Sequence, residues 1–474
     1  MSKSTKTKTD VPPLTRGKLD LESLERQVEQ GAIDTVVTAL PDLYGRLIGK
    51  RIHARFFLDE IVSHGMHLCD YLLACDMEMD PTPGYAFASW EKGYGDLHAI
   101  PDLESLRVAA WQERTAIVLC DAVSEDAGAP IEVAPRTILR RQLERAAAAG
   151  FVAQMGSELE FFLFRDDYPG ARAKGYRDLQ TYQHYVEDYH VLSSAFAEPV
   201  IGEIRQRVDA SGIPVEFSKG EWGPGQHEIN LRFAPALEMA DGHVVYKLAA
   251  KEIAAAAGCA ITFMAKWDEA LAGNSLHIHT SLWSEGGEAA FAGERELWPG
   301  SPVRGSDTFR WYLGGLVTHA RELAWFFAPN VNSYKRYRPG TFAPTSVAWS
   351  YDNRTVGFRV VGRGASLRVE CRIPGADANP YLAYAALLAA GLDGIERKLD
   401  PGPVFNGDAY AASDLPQVPR FLREAIAELD GSAFARAAFG DAVIDHLLHF
   451  GRSEQEVFDA RVTDTERARY FERI

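Results

Sequence analysis

Residues 151–164 read FVAQMGSELEFFLF. A long apolar run of this kind, bounded by Gly150 on one side and charged residues on the other, predicts an extended strand. Side chains alternate along a strand, so Glu158 and Glu160 share one face about 7 Å apart. Two carboxylates placed that way call for a cation or a proton, or else for a solvated polar face. Just upstream, Ala134 and Pro135 open a helix over 134–149 that Gly150 stops. Helix followed by strand recurs downstream, with a helix at 239–258 before ITFMAKW (261–267) and a helix at 309–327 before a basic loop at 331–340. The order predicts one large α/β unit over 131–474.

Ahead of that unit the pattern changes. Residues 1–18 are polar and basic and are expected to form a flexible tail. Residues 19–31 have helical spacing and end in Gly31, residues 33–40 read as a strand, and PDLYGRLIGKRI (41–52) reads as a hairpin or exposed loop. From 56 to 121 the elements are short and broken by DPTPGY (80–85) and EKGYGD (91–96), with a strand at 115–120. A small domain over 19–130 fits, and the overall class is α+β.

The chain has 474 residues, 50 Lys and Arg against 66 Asp and Glu, and a net charge of −16. That field disfavours nucleic acid and anionic membrane as partners. Its apolar stretches are shorter than the ~20 residues that span a bilayer. Five cysteines without CxxC spacing fit a reducing, cytoplasmic setting.

Two further motifs add metal-binding side chains to Glu158 and Glu160. The loop EWGPGQHE carries Glu221 and Glu228 at its ends, and NSLHIHTSL (274–282) places His277 and His279 on one strand face. Glu370, in the apolar LRVECRI (367–373), is a fifth carboxylate. An oxygen-rich set with one or two imidazoles suits Mg²⁺ or Mn²⁺ better than zinc. A basic cluster follows: eight Lys or Arg lie between 335 and 372 against two acids, and seven of the eight are Arg. Glycines at 340, 357, 362 and 364 mark turns and strands there, so the cluster reads as an anion site and not as a solvated helix face. Carboxylate-held metals beside arginines are the parts needed for phosphoryl transfer from a nucleotide. There is no Walker A sequence to carry it.

In order along the chain, GSELEFFLF, EWGPGQHEINLRF, GNSLHIHTSL, NSYKRYRPGTFAP, NRTVGFR and LRVECRIPGADANPYLAYAALL resemble the glutamine synthetase superfamily of the bacterial type I kind. The resemblance implies a small N-terminal β-grasp domain and a catalytic domain built on a distorted α/β barrel of mainly antiparallel strands. It implies two stacked hexameric rings with active sites shared between neighbours. By motif position, Glu160, Glu221 and Glu228 would hold one divalent ion, and Glu158, His277 and Glu370 another. ATP would lie against Glu216, His279, Ser281, Arg359 and Arg368. Glutamate would meet Gly273, Arg336 and Arg372, and Arg354 would face the phosphoryl group in transfer. Asp42 matches a residue that reaches into the neighbour's site toward the incoming amine.

Three departures from the family pattern matter. Ammonia-using members carry a glutamate six residues beyond the arginine of the NSYKR-type motif, and here that position is Phe342. A phenyl ring cannot bind ammonium as a carboxylate does, but it can pack against a carbon-bearing amine. The chain therefore most resembles the γ-glutamyl-amine ligases of the superfamily, which join glutamate to ethanolamine, other monoamines or polyamines. Tyr182, Tyr185 and Trp222, with the acids Glu187 and Asp188, are candidates for the amine pocket. The Asn-Gly pair ahead of the metal-binding histidine is Ala272-Gly273, and Tyr410 sits near the tyrosine that some members have adenylylated but in a different local sequence, so that regulation is not expected. His64, His67, Cys69 and Asp70 are read as domain packing. The competing readings are an ammonia-dependent glutamine synthetase, disfavoured by Phe342, and a non-catalytic relative, disfavoured by a full set of ligands. A His-x-His metallohydrolase would leave the arginines without a role.

Overall fold

The computed structural model describes residues 16–125, 128–338 and 342–474. The predicted tail, up to residue 15, and the turn at Gly340 lie outside the described residues.

Helix α1 (Leu21–Glu29) starts at Asp20, whose carboxylate accepts the Ser23 N–H at 2.7 Å. The segment PDLYGRLIGKRI is a hairpin: β1 (Thr35–Pro41) turns at 42–46 into β2 (Leu47–His53), with Gly45 at φ +75°. Strands β3 (Met66–Cys69), β4 (Asp96–Val108) and β5 (Thr115–Ser124) complete a sheet of order β2-β1-β5-β4-β3. Its β1–β5 pair is parallel, and the other pairs are antiparallel. The sequence reading missed β4. Pro101 and the acids around it break the alternation, and the ladder itself shifts register between Asp102 and Arg107. Leu24, Val36, Phe57, Leu73 and Val118 are among the residues of the core under this sheet.

The second sheet is built around β6 (Phe151–Phe164), the strand predicted from the opening run. Next come helix α2 (Pro135–Ala148), which precedes it, helix α3 (Glu198–Ala210), strands β7 (Val215–Gly220) and β8 (Gln226–Pro235), helix α4 (Ala236–Ala256), β9 (Ala260–Thr262) and β10 (Leu276–Ser284). A small ribbon, β11 (Arg295–Glu296) and β12 (Arg304–Gly305), leads to α5 (Asp307–His319). The sheet is completed by β13 (Trp349–Tyr351), β14 (Phe358–Val361) and β15 (Arg368–Cys371), followed by α6 (Pro380–Arg397) and α7 (Asp441–Asp459). The order is β13-β14-β15-β10-β6-β8-β7 with β9 on β6, antiparallel except for β13–β14.

Two predicted elements are shorter than expected. Of ITFMAKW only Ile261 and Thr262 are strand, at the end of β9, because asparagine side chains satisfy the backbone beyond it: Asn274 donates to the Met264 carbonyl at 2.9 Å, and Asn332 accepts the Lys266 N–H at 2.9 Å. The helix expected over 309–327 stops at His319, whose ring is held between Glu322 and Asp393, and a short turn, Ala324–Phe327, follows.

Helices α2 and α4 cover one face of the second sheet, and α6 packs against both of them. Ser157 shows the sidedness of β6: its hydroxyl meets His243 Nδ1 of α4 at 2.8 Å, so Glu158 and Glu160 face away from the helices. The two cores are joined by Arg136, buried at the start of α2, which pairs with Asp102 and Asp121 of the first sheet and Asp241 of α4 at 2.6, 2.5 and 2.8 Å. Asn379, the N-cap of α6, donates to the carbonyls of both Asp42 and Leu43 at 3.1 Å and ties the β1–β2 hairpin to the larger unit. Among the described residues no helix is long and apolar enough to cross a membrane.

Candidate active site

Sheet register assembles the site in rows. Glu160 stands across from Glu228, which stands across from Lys219. Two residues along β6, Glu158 faces His277. In the next row Arg359 faces Glu370, which faces His279. Cross-strand partners project on the same side, so eight side chains from six strands meet on the face that the helices leave uncovered. Glu221 joins them from the turn between β7 and β8.

Glu160, Glu221 and Glu228 each offer an oxygen within 4.8 Å of the others. Glu158 belongs to two more such groups, one with Glu228 and His277 and one with His279 and Glu370. His277 Nδ1 lies 3.2 Å from Glu158 and 3.6 Å from Glu370, and its Nε2 is buried without a partner. His279 accepts at Nδ1 from Arg368 Nε at 3.1 Å, which leaves its Nε2–H to donate to Glu158 at 2.7 Å.

The charges are crowded. Burial and the Glu221 charge push Glu160 up to about 8, and burial with three neighbouring carboxylates raises Glu228 as well. Burial opposes ionisation of Glu158 too, but hydrogen bonds from His277 and His279 outweigh it and hold that carboxyl well below the usual range. Burial likewise acts against ionised Glu370, and the adjoining Arg372 guanidinium overcomes it, bringing Glu370 to about 2. Burial and Arg372 push His277 down to about 4, so its ring is neutral at pH 7. Crowded carboxylate oxygens and a neutral imidazole with an unpartnered nitrogen fit a hard divalent cation such as Mg²⁺ or Mn²⁺.

Beside these groups lies a cavity of about 440 Å³. Glu216, His279, Ser281 and Arg368, four of the five predicted nucleotide residues, line it together with Phe233, Trp283 and Leu367. Arg359 sits behind Glu370, donating to it at 2.9 Å and to Asp352 at 2.5 Å. On the other side, Arg372 contacts Glu370 directly. Arg336 is 1% exposed and donates to the Ile373 carbonyl at 2.8 Å and the Ser275 hydroxyl at 2.9 Å, and a side chain at Gly273 would collide with it. Arg354 is exposed on the turn after β13.

Residues 132–470 match the family model for the glutamine synthetase catalytic domain. The chain belongs to the glutamine synthetase family. Similar family members include the γ-glutamylethanolamide synthetase GlnA4 of Streptomyces coelicolor, 50% identical over 96% of this chain and 96% of that protein. The glutamate–isopropylamine ligase of a Pseudomonas species is 36% identical over 94% of this chain and 97% of that protein. Among solved structures, one described as "Apo GmaS without ligand" superposes with a TM-score of 0.82 at 30% identity, covering 96% of this chain and 99% of that one.

Within this glutamine synthetase scaffold the structure sorts the remaining candidates. Phe342 and Trp222, both half exposed, meet edge to face with ring centroids 5.1 Å apart, and Phe342 takes a left-handed backbone at φ 57°. Tyr182 lies under the Arg165 guanidinium at 4.6 Å, and Tyr185 is 77% exposed. Asp42 is 3% exposed, and Arg46 meets both its oxygens, through its backbone N–H at 2.8 Å and its Nε at 2.6 Å. Glu187, offered for the amine pocket, is 0% exposed, while Asp188 lies 3.3 Å from Lys219 Nζ. His67 stacks on His98 at 5.0 Å and lies 3.0 Å from Glu125. The sequence reading also missed Gln226, which donates to Glu160, to the Gly273 carbonyl and to Asn274 at 3.3, 3.0 and 2.9 Å, and Lys219, which contacts Glu221. Only their place inside the EWGPGQHE motif or two residues before it pointed to them.

Proposed function

We propose that this chain is an ATP-dependent ligase that joins the γ-carboxylate of glutamate to an organic amine, ethanolamine or another small amine, through a γ-glutamyl phosphate. The observation that carries the choice of amine is the Trp222–Phe342 pair. It puts an aromatic edge and face where ammonia-using relatives carry a carboxylate, so the acceptor is met by apolar contact and not by charge. The names of the similar ethanolamide and isopropylamine enzymes support the same class.

ATP occupies the cavity beside β10. Phe233, Trp283 and Leu367 give its base an apolar bed, and Ser281, Arg368 and Glu216 supply polar contacts. The carboxylate groups around Glu160 and Glu158 would hold two or more Mg²⁺ or Mn²⁺ ions, which would supply charge neutralisation for phosphate oxygens. Arg372, braced by Arg336 beneath it, orients the substrate carboxylate, and the exposed Arg354 meets the transferred phosphoryl group. A γ-carboxylate oxygen attacks the terminal phosphorus of ATP and ADP leaves. The amine nitrogen then attacks the acyl carbon, phosphate leaves, and one proton is lost from nitrogen.

The finer architecture follows the family: a β-grasp domain over 19–130, a catalytic domain over 131–474 on a distorted barrel, and cytoplasmic double hexamers with active sites shared between subunits. Parallel phosphate-release assays with ATP, Mg²⁺ and glutamate, comparing ammonium, ethanolamine, methylamine, putrescine and spermine, test the function. Turnover with an organic amine well above that with ammonium is expected. Ammonium as the fastest acceptor would make Phe342 a packing residue and the protein an ammonia-dependent enzyme.

A further inference from the structure

Residues 187–189 cross the turn that joins β7 to β8, the turn that carries Glu221 and leads into Glu228. The Glu187 N–H donates to the Glu221 carbonyl at 3.3 Å, and the Tyr189 N–H to the Gly220 carbonyl at 3.4 Å. Between those two contacts the Glu187 side chain enters the turn itself. It is fully buried, and its Oε1 accepts the Gly225 N–H at 3.1 Å. The fit leaves no slack: a Cβ on Gly220 would lie 2.6 Å from the Glu187 Cβ, and Gly225 has a left-handed φ of +75°. Glu187 Oε2 has no partner, nor has His227 Nε2, which lies 4.0 Å from Oε1. A buried carboxyl with one orphaned oxygen costs free energy that an apolar side chain of the same size would not. Filling space therefore does not account for it. What the carboxyl supplies is one acceptor for a backbone N–H at the tip of the metal-ligand turn.

The neighbouring residues act on the same turn from outside. Lys219 contacts the Glu221 carboxylate, lies 3.3 Å from Asp188 and sits 4.3 Å over the Tyr189 ring. Glu187, Asp188 and Tyr189 together grip residues 219–225 through backbone, buried carboxyl and lysine.

We propose that Glu187 is a positioning residue for the metal centre. Through Gly225 it fixes the 221–226 turn so that Glu221 and Glu228 meet Glu160 at the spacing a divalent ion requires. This rests on reading Glu160, Glu221 and Glu228 as metal ligands, and Glu187 itself touches neither ion nor substrate.

The test is Mn²⁺ binding to the full chain, followed by the electron paramagnetic resonance of the free ion, for the parent, Glu187→Gln, Glu187→Met and Glu221→Ala. Gln keeps an oxygen for the Gly225 N–H, and Met keeps the volume without it. Partners that orient metal ligands are typically worth about 10- to 100-fold in metal affinity. Glu187→Met is expected to bind Mn²⁺ about 10-fold or more weakly, with Glu187→Gln within about threefold of the parent. Parent-like binding by Glu187→Met would overturn the proposal, as would equal losses in both variants. Should Glu187→Met not fold, hydrogen exchange in the parent decides, because rapid exchange of the Gly225 amide is incompatible with the clamp. Parent-like Mn²⁺ binding by Glu221→Ala would instead refute the ligand assignment on which the proposal stands.

Discussion

His279 and Glu370 are register partners on β10 and β15, His279 donates to Glu158 of β6 at 2.7 Å, and the three share one candidate ion position. The site is therefore a property of strand alignment. Each row of the sheet delivers at least one carboxylate and one nitrogen-bearing side chain, and the turn at 221–226 adds Glu221.

Glu158 is the most connected group in this arrangement, since it faces both histidines and belongs to two of the three ligand groups. Glu158→Ala is expected to lower phosphate release by about 100-fold or more and to reduce the number of Mn²⁺ ions bound. Steady-state assays and Mn²⁺ titration of the variant check both. Undiminished metal binding would move the ligand role to other residues.

The Trp222–Phe342 contact predicts a division of effects. Trp222→Ala removes the aromatic wall and is expected to raise the KM for the organic amine by about 10-fold, with little change in the KM for ATP. Phe342→Glu places a carboxylate where the ring was and is expected to raise ammonium turnover relative to ethanolamine. A ratio of the two rates that does not move in Phe342→Glu would show that selectivity lies elsewhere.

Arg136 neutralises three aspartates from both cores while itself almost wholly buried. Arg136→Met takes the paired guanidinium from buried Asp241 and leaves Asp102 and Asp121 to Arg140 alone, and is expected to cost about 3–5 kcal/mol of stability. By contrast, Arg26→Met removes an exposed helix pair with Glu22 and is expected to cost under about 1 kcal/mol. Urea midpoints of the two variants, read against the parent, provide the comparison.

Lys247 gives a pH signature. Burial, aided by the Lys251 charge, pushes its ammonium down to about 8 from an ordinary 10.5. Between those values the unfolded chain holds the proton that the folded chain has released, so this residue makes stability rise with pH across that window. Below about 8 the cost of burying the charge is present in full. Lys247→Met is expected to stabilise the protein at pH 7 and to lose that advantage as the pH approaches 10. Urea midpoints for both proteins at pH 7 and 10 measure it, and a difference independent of pH would exclude the titration.

Much of this was legible in the sequence because its periodicity is simple where the chemistry is. Glu158 and Glu160 announce their shared face by alternation, as do His277 and His279, and β6 spans the run that predicted it. The N-terminal sheet was harder to read because β4 contains Pro101 and a register shift, which disguise a long strand as loops. Motif position says nothing of a side chain's partner, and Arg46, which meets both oxygens of Asp42 from four residues away, was not foreseen. Glu187 was read only as an amine-pocket candidate, because its bond to Gly225 is a contact across 38 positions that only folding creates.

The row-by-row register of β10 also sets what kind of sequence change this enzyme can absorb. A single extra residue between Leu276 and His279 would turn one or both imidazoles toward the helices, withdrawing them from Glu158 and Glu370 in one event. The same insertion at the exposed turn of residues 285–287 would leave every row intact. Within β10, then, the length of the chain is under tighter constraint than the identity of most of its side chains, and loop ends are where homologous sequences can afford gaps.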